Sequence, residues 1–251
     1  QKEFPLEWKL NKVIVEDLEF KGYTAKSKPS EISQIDRLYY DRSEPYTKTI
    51  ANWNAFEPSK SVIKPIAYII PKAWEKVIDL LKLNSVTIQQ LENNQILEVE
   101  SYYIEDYKTS SKPYEGHYLH SDVKLRPVKQ HIQYYKGDFL VYVNQHANRY
   151  IIETLEPQAT DSFFNWNFFD SILSMKEHFS AYVFEDTAAD LLKKDPELRA
   201  KLAEEKKRNT GLDKNAEAQL DFIYKNSAYY EKTHSRYPIS PLINDIKKPL
   251  R

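Results

Sequence analysis

The densest run of chemistry-capable side chains is Glu115-Gly116-His117-Tyr118-Leu119-His120-Ser121-Asp122, which sets two imidazoles and two carboxylates in one short segment. Nitrogen and oxygen donors at that density suit a transition metal. On an extended strand, however, side chains alternate. His117 and His120 then face opposite ways, while Glu115 shares a face with His117 and His120 with Asp122. That spacing favours a polar network around the bend at Pro113 and Gly116 over a closed metal site. The other histidines, His131, His146, His178 and His234, are scattered, and no H-x-x-E or H-E-x-x-H spacing occurs. Cysteine is absent, which removes disulfides, thiolate zinc ligands and thiol nucleophiles. The expectation is therefore no catalytic, cofactor-binding or metal-ligating residue, with Glu115, His117, His120 and Asp122 as the one polar cluster to place.

Acid-base pairs can be drawn among Glu105, Asp106, Glu153, Glu156, Glu185 and Asp186, but 37 carboxylates supply such pairs by chance. The four glycines, Gly22, Gly116, Gly137 and Gly211, lie far apart. Phosphate cradles and nucleophile elbows need two or three close together, so Rossmann, Walker and G-x-S-x-G readings fall away. Aromatic residues are the one excess, at 14%. They include the doublets Tyr39-Tyr40, Tyr102-Tyr103, Tyr134-Tyr135 and Tyr229-Tyr230, and the run Phe163-Phe164-Asn165-Trp166-Asn167-Phe168-Phe169. A doublet in a strand sends one ring inward and one outward, and outward rings can stack on sugars or peptides.

Positioning elements follow from periodicity. Residues 1–60 mix Pro5, Pro29, Pro45 and Pro58 with short apolar patches and read as an extended segment that wraps over something else. Val62 to Ile70 is β-branched and stops at Pro71, after which Trp74, Val77, Ile78 and Leu81 recur at helical spacing. With strand character returning at Val86 to Leu91, a strand-helix-strand unit with connections short enough for a parallel crossover is expected over 66–91. Alternating runs predict a mainly antiparallel sheet or small sandwich over 97–154.

Beyond Pro157 the pattern turns helical, with Thr187-Ala188-Ala189-Asp190 and Asp195-Pro196 as N-terminal signals and Leu220, Ile223 and Tyr224 on one face of a later helix. Residues 157–174 are expected to form a hinge into this part, anchored by buried Phe163, Phe164, Trp166, Phe168 and Phe169. The last residues, with Pro238, Pro241 and Pro249, read as a surface-hugging tail. The fold class is thus α+β, divided as 1–60, a β-rich 61–157 and a helical 158–251 packed on the sheet.

Lys and Arg number 36 against 37 Asp and Glu, a net charge of -1, so no global field draws nucleic acid or an anionic surface. No apolar run approaches the ~20 residues of a membrane span. The start, Gln1-Lys2-Glu3-Phe4-Pro5, has neither initiator Met nor signal segment and reads as a processed product or a fragment.

Three stretches carry a resemblance: Ala67-Tyr68-Ile69-Ile70-Pro71-Lys72-Ala73-Trp74 continuing to Leu81; Val99-Glu100-Ser101-Tyr102-Tyr103-Ile104-Glu105-Asp106-Tyr107 continuing to His117; and Arg149-Tyr150-Ile151-Ile152-Glu153-Thr154-Leu155-Glu156-Pro157 continuing to Phe169. Together they resemble the C-terminal region of bacterial zinc carboxypeptidases of the carboxypeptidase A type, and Tyr39-Tyr40-Asp41-Arg42 and Tyr229-Tyr230-Glu231 fit the same pattern. That family carries an H-x-x-E pair, a third ligand His, substrate-binding arginines and a general-base Glu in a preceding catalytic domain. None of these maps onto this chain. The resemblance implies a non-catalytic accessory region, inactive alone, in the periplasm or outside the cell. It also implies zinc only in the absent domain, and that domain as partner in cis. The competing reading is a module that binds peptide or glycan through exposed aromatics.

Overall fold

The computed structural model describes residues 2–175, 178–242 and 244. The chain divides into two compact units, Gln1–Lys64 and Pro65–Arg251.

The first unit is made of two antiparallel ribbons. Strand β1 (Glu3–Leu10) is laddered to β4 (Phe56–Ile63), and β2 (Glu16–Pro29) to β3 (Asp36–Asn52). Between β1 and β2 the Asn11 side chain turns the chain, its Oδ1 accepting from the amides of Val13 (2.9 Å) and Ile14 (3.2 Å). On one face of the β2–β3 ribbon Leu18 lies opposite Ile50, Phe20 opposite Lys48 and Gly22 opposite Tyr46. A Cβ at Gly22 would meet Phe20 at 2.8 Å and the Tyr46 hydroxyl at 2.9 Å, so glycine is what lets both rings lie over the strand. That face is partly exposed: Leu18, Phe20 and Tyr46 are 44%, 43% and 41% exposed.

The second unit combines helices with antiparallel sheet, the α+β class. Strand β5 (Ala67–Ile70) is buried at all four positions and ends at Pro71; α1 (Glu75–Leu83) buries Val77, Ile78 and Leu81; β6 (Gln89–Gln90) follows. Strands β7 (Gln95–Thr109) and β8 (His120–Tyr134) form a long hairpin, its register shifting around Asp106, and β9 (Phe139–Tyr142) returns to the first sheet. Both β5 and β6 pair antiparallel with β9, so they run parallel to each other with β9 between them. The strand-helix-strand reading therefore holds, with a later strand inserted into its crossover.

The expected sheet stops short of residue 154. Asn148–Leu155 is a helix, α2, because Ile151, Ile152 and Leu155 fall on one buried face at helical spacing. Helix α3 (Ala181–Lys194) likewise begins ahead of Thr187, the expected start. Phe184, Ala188, Leu191 and Leu192 recur at helical spacing and carry the helix through the Thr-x-x-Asp signal. Helix α4 (Pro196–Arg208) starts where Asp195-Pro196 says it should: Asp195 Oδ1 accepts from the Leu198 amide at 2.9 Å. With α5 (Ala216–Lys225), which buries Leu220, Ile223 and Tyr224, these helices close a core of their own.

The C-terminal segment is not a surface tail as far as it is described; Pro249 lies outside the described residues. Tyr237, Ile239, Ser240 and Leu242 are buried, and β10 (Ser240–Pro241) pairs with β5. Just before it, the Ile104 amide donates to Ser235 O and the Tyr237 amide to Tyr102 O. Leu242 bridges to Val99. This strap welds the long hairpin to the four-stranded sheet and seals a core of Ala67, Ile69, Leu91, Val99, Leu140 and Leu242. Among the described residues no helix is long and apolar enough to cross a membrane.

Candidate functional site

The polar cluster is dispersed by the turn that contains it. Tyr114 and His117 exchange backbone hydrogen bonds (2.8 and 2.9 Å), and Glu115 (φ 47°) and Gly116 (φ 83°) form the two-residue tip with positive φ. Glu115 points to solvent, and His117 meets Trp166 edge-on at 5.5 Å. His120 is buried at the start of β8, with Nδ1 3.0 Å from Thr109 Oγ1 and Nε2 3.0 Å from Asp170 Oδ1. Asp122 pairs with Lys108 at 2.7 Å. Among the described residues no three His, Cys, Asp or Glu side chains converge as metal ligands would.

Thr109, His120 and Asp170 have the order of a hydroxyl-imidazole-carboxylate relay. The hydroxyl here stands on the exposed end of β7, and the His120 ring is clamped between Tyr107 (4.7 Å) and Phe164 (5.1 Å). The bond to Asp170 ties the turns at 156–170 to the hairpin. Of the five rings expected as buried anchors in that segment, Phe163, Phe164 and Phe169 are buried, but Trp166 and Phe168 are half-buried. Seven aromatic and amide side chains cannot all face inward from a chain of tight turns.

The six carboxylates singled out in the sequence separate by environment. Glu105 pairs with Arg126 (3.1 Å), Asp106 with Lys124 (2.7 Å) and Glu153 with Arg149, while Glu185 and Asp186 are exposed on α3. Glu156 alone is buried. Tyr68 donates to its Oε1 at 2.5 Å, and Tyr237 donates to the neighbouring Leu155 carbonyl at 2.9 Å. Burial pushes the Glu156 carboxyl up to about 7, while hydrogen bonds from Tyr68 and Tyr102 pull it down. Burial likewise pushes all three tyrosine hydroxyls up. This is a sealed acceptor-donor cluster with no route for substrate, and its chemistry is structural.

A cleft of about 490 Å³ is the better candidate for binding. Its walls come from four segments: Lys72 and Trp74 from the β5–α1 connection, Tyr134 and Asp138 around the β8–β9 turn, Ser171 and Ile172 from the turns after Phe169, and Arg236 and Tyr237 from the strap. Asp138 fixes the first two to each other, accepting from the Lys72 amide (3.0 Å) and the Tyr135 amide (2.8 Å). Gly137 (φ 90°) allows that turn. Trp74 packs edge-on against Phe169 at 4.8 Å, and Phe169 against Tyr237 at 5.2 Å. A second hollow of about 600 Å³ shares Ala73 and Trp74 with the cleft and continues to His117, Trp166 and Phe168. Sequence reasoning noted Trp74 and Tyr134 only as a helix position and a strand doublet. It missed Arg236 altogether, because the strap that carries it reads as a tail.

No protein-family model matches the chain, and no solved structure matches it. Part of it is similar to proteins named carboxypeptidase 2. The similarity is 28% identity over 109 residues for Trichophyton tonsurans, 27% over 118 for Trichophyton rubrum and 28% over 109 for Trichophyton equinum. These stretches are 42%, 47% and 42% of this chain but only 20%, 22% and 20% of the relatives, so the match spans about a fifth of their length. A link to carboxypeptidases is thereby supported. The relatives are fungal, and they lend no support to a bacterial origin.

Proposed function

We propose that this chain is a non-catalytic accessory region of a secreted zinc carboxypeptidase, working outside the cell or in the periplasm and braced against the catalytic domain in cis. The observation that carries this reading is the exposed apolar face of the β2–β3 ribbon. A two-stranded ribbon is marginal alone, and sheets are normally stabilised by a second layer. Leu18, Phe20 and Tyr46 share one face and are over two-fifths exposed, with Gly22 shaped to seat the two rings. A patch of that kind marks an interaction surface. The similarity to carboxypeptidase 2 supports the reading that the partner is a domain corresponding to the large part of the relatives that this chain does not match.

Zinc belongs to that other domain in this reading. The described residues offer no converging ligand set, so no catalytic step is assigned to this chain. To test the brace, Phe20→Ser and Tyr46→Ser are introduced into the intact parent protein. Its catalytic part should then melt earlier, with little change in the melting of the Pro65–Arg251 unit. Unchanged melting of both would sink the docking claim.

A second reading, a peptide- or glycan-binding module, is favoured by the half-buried Trp74 and Trp166, which line adjoining hollows.

A further inference from the structure

The 600 Å³ hollow beside the cleft is lined with rings that are held from behind. Trp74 ends the short 3₁₀ turn Lys72–Trp74 and stands edge-on against buried Phe169 at 4.8 Å. Trp166 sits in consecutive turns: its amide donates to Ser162 O (3.1 Å), the Asn167 amide to Phe164 O (3.0 Å), and Asn167 Nδ2 to Tyr118 O (2.9 Å). His117 and Tyr114 border the Trp166 indole at 5.5 and 6.1 Å. Tyr114 is 57% exposed, and Trp74, Trp166 and Phe168 are each half-buried. Rings fixed in this way lose little freedom on meeting a ligand, and a cluster of them left facing water marks a contact surface.

The polar groups among the rings narrow the ligand. Glu75, Lys76 and His117 line the hollow, and among the described residues their side chains make no hydrogen bond or ion pair. One carboxylate beside one ammonium gives the wall no net field, which favours a neutral ligand over an anion or a cation. The lining comes from the 3₁₀ turn, the start of α1 and tight turns, with no residue of a strand, so an extended peptide finds no sheet edge to pair with. A pyranose whose hydroxyls are equatorial answers both features. Its axial C–H groups form an apolar face that lies on an indole, and its rim of hydroxyls both donates and accepts, as a carboxylate, an ammonium and an imidazole require.

We infer that this hollow binds a neutral glycan of equatorially substituted pyranoses, stacked on Trp166 and Trp74, with Glu75 and Lys76 meeting its hydroxyls. The inference rests on the second reading above, the binding module, and not on the accessory role; every residue it uses lies within Pro65–Arg251.

The test is titration calorimetry of the 251-residue chain with cellohexaose, chitohexaose, a galacturonate trisaccharide and an N-acetylated hexapeptide amide. At least one of the two neutral hexasaccharides should bind, and the charged trisaccharide and the peptide should not. Trp166→Ala should weaken that binding about tenfold, the worth of one stacked ring, and Trp166→Phe, which keeps a ring face, should weaken it less. Glu75→Ala, at an exposed position where folding is not at risk, should weaken it severalfold, so the claim stays testable if Trp166→Ala does not fold. Hexasaccharide binding unchanged by the substitutions at Trp166 and Glu75 would overturn the site and leave the module reading standing. Binding of the peptide or the charged trisaccharide in place of the neutral glycan would overturn the ligand class. No binding of any of the four would overturn the inference together with the module reading.

Discussion

At the residue scale Glu156 makes the sharpest claim. Its carboxyl titrates at about 7 in the fold against 4.5 in a free chain, so the folded state holds the proton longer. Stability from this group is fully present below about 4.5 and is lost as pH rises through 7, when burial must accept a carboxylate. The shift corresponds to roughly 3 kcal/mol at most. Urea unfolding at pH 5 and pH 8 should therefore show Glu156→Gln gaining on the wild type at the higher pH and not at the lower. Tyr68→Phe removes the donor to Oε1 and should cost about 1–3 kcal/mol, with the larger loss at pH 8. Nothing in the sequence set Glu156 apart from Glu153 three residues earlier. Its environment is built by Tyr68, Tyr102 and Tyr237, which lie on three different segments and meet only in the tertiary fold. His120 teaches the same lesson, since its partner Asp170 is fifty positions away while the neighbouring Asp122 faces Lys108.

At the scale of elements, strong local signals were legible. The β5–α1–β6 unit, the Asp195-Pro196 cap and the α5 face all follow from periodicity and capping chemistry. Asp195→Ala leaves the Leu198 amide without its acceptor and should cost on the order of 1 kcal/mol in thermal unfolding of the helical core. Two elements were illegible for different reasons. Helix α2 carries the β-branched pair Ile151-Ile152 and passes for strand, and only the burial of Ile151, Ile152 and Leu155 on one helical face decides. The strap carries Pro238 and Pro241, which normally end strands, but proline is tolerated where its missing N–H is not needed for pairing. The turns at 156–170 divide their rings between core and surface. Phe164→Ala should cost about 3–5 kcal/mol and Trp166→Ala clearly less, because the first ring is fully buried and the second only partly. Equal losses in denaturant unfolding would mean that Trp166 is as well packed as Phe164.

At the scale of the whole molecule, the two units differ in self-sufficiency. Among the described residues, the apolar clusters of the four-stranded sheet and of the helices are drawn from residues beyond Lys64, whereas the first unit buries Phe4 and Leu6 but leaves its ribbon face exposed. A chain starting at Pro65 should therefore unfold cooperatively, and the isolated 1–64 segment should not. The α+β class was readable from pattern, but the uncovered face was not, because exposure on a ribbon depends on whether a second layer arrives. The proposed accessory role requires that the chain have no peptidase chemistry of its own. The most direct measurement is release of C-terminal residues from a panel of short peptides by the purified chain with added zinc. No release above the zinc blank is the expected result. Zinc-dependent release that is lost in His117→Ala or His120→Ala would contradict it.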